Sequence, residues 1–419
     1  MRVAVLGAGV IGVAAAYYLR RAGMDVVVVD RQTETASETS FANGGQISVC
    51  HAEPWANPRT PFKALKWMLD DDAPLRIRLG TDPAQWRWLL AFLRECRVDR
   101  TNANIRQLVN LGLHSRACLS VLRAEAGLQY DQRTQGILHI YTSHSEFEAA
   151  RTPAHLMTEL GCERRMLNAA EAIAIEPALK TMHMPLVGAT YAPDDESGDA
   201  QQFTESLAQR CVSAGVEFAL GQTIERLTMN NGRVTQVELL GHGGERSTLK
   251  ADAFVLALGS FSPLLARPLG IRLQLIPAKG YSLTLPVAEP ARAYSVPLID
   301  DEHKLVFSRL GNRLRVAGMA ELRGYDQQID PQRGALLLRR LEQLFPGAGD
   351  AGQARYWTGL RPSTPSNVPY VGCSSVPNLY LNTGHGTLGW THACGSGQAL
   401  ADIICGRKPE VDFAFCGLS

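Results

Sequence analysis

A two-part chain of mixed α/β and α+β character is predicted by three observations. The first thirty residues read as strand, glycine turn, helix and second strand. A further buried apolar run, Ala253 to Leu258, ends in glycine at Gly259. From Ile271 to Gly318 apolar and polar residues alternate through several strands, as in a sheet with one covered and one lined face.

The opening unit is the most informative. Arg2 to Leu6 is a buried strand, Gly7-Ala8-Gly9-Val10-Ile11-Gly12 a tight turn, Val13 to Arg21 a helix, and a second strand ends at Asp30. This Rossmann-like unit binds a dinucleotide: Gly7 allows the turn, Gly9 admits a pyrophosphate to the backbone, and Gly12 lets helix and strand pack closely. Phosphate belongs at the helix N-terminus, where free N–H groups and the dipole favour negative charge. Asp30 falls where an acid takes ribose hydroxyls, with Arg31 beside it.

Bulk properties bound the rest. At 419 residues the chain exceeds one growing core, so two or three domains are expected. A net charge of +1 gives no bias toward nucleic acid. Nine cysteines without a CxxC argue for a reducing compartment and against a disulfide framework or a metal site. The expected location is cytoplasmic, with the cytoplasmic face of the inner membrane as an option. Four of six tryptophans (Trp55, Trp67, Trp86, Trp88) lie among Lys63, Lys66, Arg76, Arg78 and Arg87. That composition fits the core of a helical insertion over residues 55–95, and also a peripheral membrane contact.

Farther along, Ser37 to Gln46 is a polar, glycine-rich loop whose amides and hydroxyls suit phosphate or ring carbonyls. Residues 60 to 127 read mostly as helix, Gly136 to Tyr141 as strand, and Glu146 to Leu160 as a helix interrupted at Pro153. Ala189 to Asp199 reads as a turn-rich crossing between domains, Phe203 to Gly215 as helix and Val216 to Leu220 as strand. Asn230-Asn231-Gly232 marks a hairpin, and Pro331 to Phe345 an amphipathic helix. Near the end, Leu379 to Leu381 is a strand, and Gly384, Gly386 and Gly389 precede a helix from about Cys394 to Cys405. A second glycine-rich approach to a helix offers backbone N–H groups to the same cofactor.

With these segments in hand, the chain resembles the D-amino-acid oxidase-like flavoprotein family, its bacterial dehydrogenase members in particular. The likeness is carried by VLGAGVIGV, ETSFANGGQIS, PFKALKWML, DAPLRIRL, KGYSLTLP, RVAGMAEL, YWTGLRPSTP and LNTGHGTLGWTHACGSGQALAD, in order across nearly the whole chain. It implies a non-covalent FAD, bound by a domain assembled from residues 1–60, 190–270 and 355–419. The substrate domain, built on a mixed, largely antiparallel sheet, would take residues 61–189 and 271–354. It further implies FAD pyrophosphate at Gly7, Gly9 and Gly12, and ribose at Asp30 with Arg31. Thr39 and Ser40 match the phosphate loop, and Asn43, Gly44, Gly45 and Gln46 lie beside the isoalloxazine. Ile224 lies near adenine and Gly259 on the cofactor side. Gly384, Gly386, Thr387 and Leu388 lie under the flavin ring.

By the same resemblance Arg361, in Gly359-Leu360-Arg361-Pro362, grips the substrate carboxylate; a rigid guanidinium fork matches that group bidentately. Tyr281 either lines the substrate cavity or belongs to the core. His385 is either a general base or a positioning, flavin-contacting residue; His51 is assigned nothing. The implied reaction is oxidative deamination of a D-amino acid to the 2-oxo acid and ammonium, by hydride transfer from Cα to flavin N5, with electrons passed to a quinone or other acceptor.

Three segments depart from the dehydrogenase pattern: Gly44-Gly45, Asp199-Ala200-Gln201 and Pro362 to Asn367. The last lies near Arg361 and leaves a cyclic D-imino acid, such as D-proline or D-hydroxyproline, beside the acyclic substrates. A glycine or sarcosine oxidase, and an FAD-containing interaction subunit without catalysis of its own, are the further alternatives. Oligomers or additional subunits are compatible with all of these.

Overall fold

The computed structural model describes residues 1–67, 73–78 and 80–418, with only the backbone path for residues 63 and 65–67. Parts of PFKALKWML and DAPLRIRL therefore lie outside the described residues.

Arg2–Leu6 is apolar on both faces, and its place in the fold explains why. It pairs in parallel with Asp25–Val29 on one side and Ala253–Leu256 on the other, Val5 lying opposite Val28 and Val255. Strands buried on both faces need continuous apolar runs. The six-stranded sheet extends to Glu217–Ala219 at one edge, and through Leu379–Thr383 to antiparallel Tyr370–Cys373 at the other. Helices Val10–Arg21, Ala200–Ser213 and Gly389–Ile404 cover one face through Val13, Leu19, Phe203, Leu207 and Leu400. An antiparallel sheet of Gln222–Asn230, Arg233–Gly241 and Arg246–Lys250 covers the other, setting Leu227, Val237 and Leu239 against Leu6, Val27 and Phe254. The hairpin turn lies at Asn231 and Gly232, both at positive φ (48° and 74°), the conformation an Asn-Gly pair favours.

The second body is a nine-stranded mixed sheet. Its order runs from Arg355–Ser363 through Ile276–Pro286, Arg313–Leu322, Leu305–Leu310, Leu298–Asp300, Ile137–Tyr141 and Gly188–Ala192 to Arg165–Asn168. Leu75–Ile77 joins it by pairing with Arg313–Leu322. Alternation divides its residues between two faces. Tyr281, Leu283, Leu285, Leu314 and Val316 pack under helix Pro331–Leu344, with Leu337 and Leu341 opposite them. Ala278, Gly280, Ala317, Val306 and Arg361 belong to the other face, where a Cβ on Gly44 would meet Val306 and Ala317. The polar loop after Asp30 therefore lies against the lined face of this sheet.

Several expectations change in detail. Ala189 to Asp199 is not wholly a crossing: Gly188–Ala192 is a strand between Ile137–Tyr141 and Arg165–Asn168, and Glu196–Ser197 pairs with Gln46–Ile47. The break in the 146–160 helix falls at Ala150, between His144–Ala149 and Arg151–Glu159; Pro153 occupies the first turn of the second helix, where its missing N–H costs nothing. The insertion is not all helix, since it contributes Leu75–Ile77 to the sheet. The C-terminal helix starts earlier than expected, at Gly389.

Leu341 is wholly buried between helix Pro331–Leu344 and the sheet. Leu341→Ala is expected to lower unfolding free energy by about 2–5 kcal/mol. Urea unfolding would measure this, with the flavin content of folded protein unaltered.

Candidate functional site

The carboxyl ends of four parallel strands open into one cleft of about 390 Å³. Gly7 and Gly9 follow the first strand, Asp30 and Arg31 the second, Ala257 to Gly259 the third, and Asn382 to Gly386 the fourth. Open α/β sheets bind nucleotides at this edge. Ser40, Thr39, Ile224 and Gly389 line the same cleft.

Local chemistry builds the cradle. Gly7 stands at φ 115°, and a Cβ there would lie 2.5 Å from the Ala257 carbonyl oxygen; a Cβ on Gly12 would run into the carbonyl of Gly7. Side chains at either position would pry the helix from the strands. The Asp30 carboxylate accepts hydrogen bonds from the N–H groups of Ala8 (2.7 Å) and Gln32 (2.8 Å), tying the second strand to the glycine turn. Burial raises its pKa, and those two amides act against the rise. The Val10 N–H donates to Ser40 Oγ at 3.1 Å, and no acid occupies the first turn of that helix. Its positive end is left to a ligand.

Whether the cleft fits FAD can be tested on the atoms it leaves unsatisfied. Asn382, wholly buried at the cleft wall, has no hydrogen-bond partner for either amide atom among the described residues, nor has Nε2 of His385. Buried polar atoms require partners. An acceptor- and donor-bearing ligand spanning Gly9 to Gly386 supplies them, so the residues present fit a dinucleotide.

Other expected residues fall around this frame. Arg31 pairs with Glu38, and its guanidinium lies 4.0 Å from the centre of the Phe261 ring. Thr39 donates its hydroxyl to the Leu360 carbonyl at 3.0 Å, joining the cleft loop to the edge strand of the large sheet. Asn43 accepts from the Gly45 N–H, and Gln46 donates to the Leu298 and Phe307 carbonyls. Burial, then the neighbouring His392, pushes His385 well below the usual histidine range, so it is neutral at physiological pH. Thr387 is exposed, and Leu388 packs with Val49 and Cys50 rather than lining the cleft.

Arg361 stands on the edge strand, where Pro362 reaches the cleft. Its guanidinium donates to the Met319 carbonyl at 2.7 Å and the Gly318 carbonyl at 3.4 Å. Among the described residues no carboxylate lies within ion-pair distance of it. Burial lowers its pKa to about 10, which leaves it charged at neutral pH.

Tyr281, like Thr387 and Leu388, lies away from the place expected of it. It points to the opposite face from Arg361, is 2% exposed, and donates its hydroxyl to Glu321 at 3.1 Å. Strand alternation decides this: Ala278 and Gly280 share the arginine's face, and Tyr281 does not. Glu38, Asn382, Thr383 and Phe261 were not anticipated. Asn382-Thr383 carried a usable signal, lying between a buried strand and a glycine turn; the others carried none.

His51, His139 and Asp301 gather donor atoms of the kind metals use. The buried Arg164 guanidinium already supplies the cation there, 3.1 Å from His139 Nδ1 and 3.7 Å from Asp301.

A parallel-sheet cleft with nucleotide geometry, reached at Pro362 by the arginine-bearing strand of a second sheet, is the arrangement of a dinucleotide-dependent enzyme. The chain belongs to the FAD dependent oxidoreductase family, which it matches over residues 2–403, and FAD is its cofactor. It is 53% identical over 415 residues to the D-amino acid dehydrogenase of Dechloromonas aromatica, covering 99% of both chains. It is 50% identical to that of Paramagnetospirillum magneticum, covering 100% of this chain and 98% of the relative. In fold it is similar to glycine oxidase from Geobacillus kaustophilus, with TM-score 0.75, 22% identity and coverage of 98% and 96%. L-proline dehydrogenase from P. horikoshii aligns with TM-score 0.75 at 15% identity, covering 98% of this chain and 95% of that one.

Asp30→Ala leaves two N–H groups without their acceptor and is expected to weaken FAD binding by about 10- to 100-fold. Flavin fluorescence titration of apoprotein measures it; an unchanged dissociation constant would remove Asp30 from the site.

Proposed function

We propose that this protein oxidises a D-amino acid to the 2-oxo acid and ammonium and passes the electrons to a quinone. The observation that carries the reading is Arg361: a charged, half-buried guanidinium, oriented by neutral carbonyls and free of any carboxylate among the described residues. A substrate carboxylate supplies the missing counter-ion and is held bidentately, which fixes the depth and angle of Cα. Bound FAD supplies the acceptor for the two electrons and the hydrogen leaving Cα. The substrate amine sheds a proton on entry, and water hydrolyses the released imine. His385, made a weak base by its burial, has a positioning role rather than that of a proton acceptor. The nucleotide side is assigned to residues 1–60, 190–270 and 355–419, although Arg361 itself stands on a strand of the large sheet.

Handedness and ring preference are read from the anaerobic flavin spectrum during additions of paired D and L amino acids, glycine, D-proline and D-hydroxyproline. Bleaching by acyclic D substrates is expected. Preference for D-proline would move the assignment to cyclic imino acids, and no bleaching of FAD-loaded protein by any of them would leave an electron-transfer or interaction subunit. Reoxidation faster by a soluble quinone than by oxygen is expected; the reverse order points to an oxidase.

The quinone reading is supported by a surface suited to a bilayer. Helix Pro83–Glu95 exposes Trp86, Leu90 and Leu93 at helical spacing on one side, with Phe62 77% exposed on Thr60–Trp67. Exposed Arg87 and Arg94 flank them, whereas Trp88 is buried, stacked on Phe92, with its N–H given to the Ser363 carbonyl. Among the described residues no helix is long and apolar enough to cross a membrane. Contact would be interfacial. Sedimentation with anionic phospholipid vesicles is expected to carry the protein down, and a variant with Trp86, Leu90 and Leu93 all changed to Ser to lose about tenfold in partition; equal pelleting of both would remove the contact.

A further inference from the structure

Arg361 is oriented by backbone, which raises the question of what orients the backbone. We propose that Met319 and Glu321 are positioning residues for Arg361. A β-bulge at Met319, pinned from the far side of the sheet by the Glu321 carboxylate, aims the carbonyls that hold the guanidinium. This inference rests on the reading of Arg361 as the carboxylate anchor.

The bulge is visible in the register. Lys279 lies opposite Glu321 and Tyr281 opposite Gly318, so two steps on one strand face three on the other. The extra length is absorbed at Met319, which takes φ 56°, a left-handed conformation that L-residues other than Asn and Asp rarely adopt. Turned this way, the Met319 carbonyl accepts from Arg361 Nη1, while the Gly318 carbonyl faces Nη2. Across the pair, Gly280 leaves the room: a Cβ there would run into the guanidinium. Past the bulge the strand gains a new neighbour, Glu321 lying opposite Arg76 of Leu75–Ile77.

The anchor is on the reverse face. Glu321 is 2% exposed; its Oε2 accepts from the Tyr281 hydroxyl at 3.1 Å and lies 3.3 Å from Lys279 Nζ, and its Oε1 lies 3.2 Å from Arg333 Nε. Lys279 and Arg333 are themselves almost wholly buried. A buried carboxylate between two buried cations tolerates little sliding, because any slip separates charges that water does not reach. The network therefore fixes which residue of the strand is the extra one. Neutral carbonyls then steer Arg361 without cancelling its charge, and the full attraction stays available to a substrate carboxylate.

The test uses FAD-loaded full-length protein and propionate as the probe, titrated against the flavin absorption band, with KM and kcat for a bleaching D-amino acid alongside. Met319→Val disfavours positive φ and is expected to weaken propionate binding by about tenfold and to raise KM more than it lowers kcat, at undiminished FAD content. Met319→Gly, which accepts the same φ and keeps the carbonyl, is expected to recover most of that loss. Glu321→Gln is expected to weaken propionate binding in the same direction. If it does not fold, the Val and Gly pair decides alone. Parent-like propionate binding by Met319→Val, or equal loss in the Val and Gly variants, overturns the proposal. Arg361→Ala separates the two layers: parent-like binding in that variant sinks the anchor reading, and the proposal with it. Loss there with parent-like binding in Met319→Val sinks the positioning role only.

Discussion

Backbone amides bound to buried or half-buried carboxylates organise this protein. Asp30 holds the N–H groups of Ala8 and Gln32, so the end of one parallel strand dictates the shape of the turn leaving its neighbour. Asp195, 1% exposed and pushed up to about 6 by burial, does the same for the loop after Gln46–Ile47, accepting from Ser48 Oγ and the Val49 and Cys50 amides. Asp199 caps helix Ala200–Ser213 through the amides of Gln201 and Gln202 and also receives Arg313. Each acid satisfies backbone amides that no sheet ladder reaches.

Arg361 follows the complementary rule. Asp30 gathers amides at the nucleotide cleft, while carbonyls orient this base on the large sheet. An acid satisfied by amides can be finished, since its task is to shape a turn. On the proposed reading a guanidinium that takes an anionic ligand is left incomplete, and carbonyls orient it at the cost of only part of its donor capacity.

The nucleotide half was legible because its constraints are local. A glycine turn, a following helix and a terminal acid lie within thirty residues, and each has a composition that ordinary elements do not share. Thus Gly7, Gly9 and Asp30 meet in one cleft as their spacing implied, joined there by Ser40, which the resemblance had placed. Tyr281 shows where that legibility stops. An alternating strand declares two faces but not which one is lined, and the covering helix Pro331–Leu344 begins fifty residues after Tyr281. Glu38 and Phe261 were silent for a related reason: each reaches the cleft only because separate loops converge there.

The amino-acid sequence by itself determined the dinucleotide unit, the buried parallel strands and the Asn-Gly hairpin, because backbone sterics and apolar periodicity act over a few residues; the candidacy of Arg361 came from the family resemblance. Tertiary structure alone decided that the guanidinium rests on the carbonyls of Gly318 and Met319, that Tyr281 faces away from it, and that Trp88 is buried while Trp86 is exposed. Those outcomes depend on register between strands distant in the chain. Shifting a strand by one residue exchanges every side chain between its faces, and only the packing of both faces selects among the shifts.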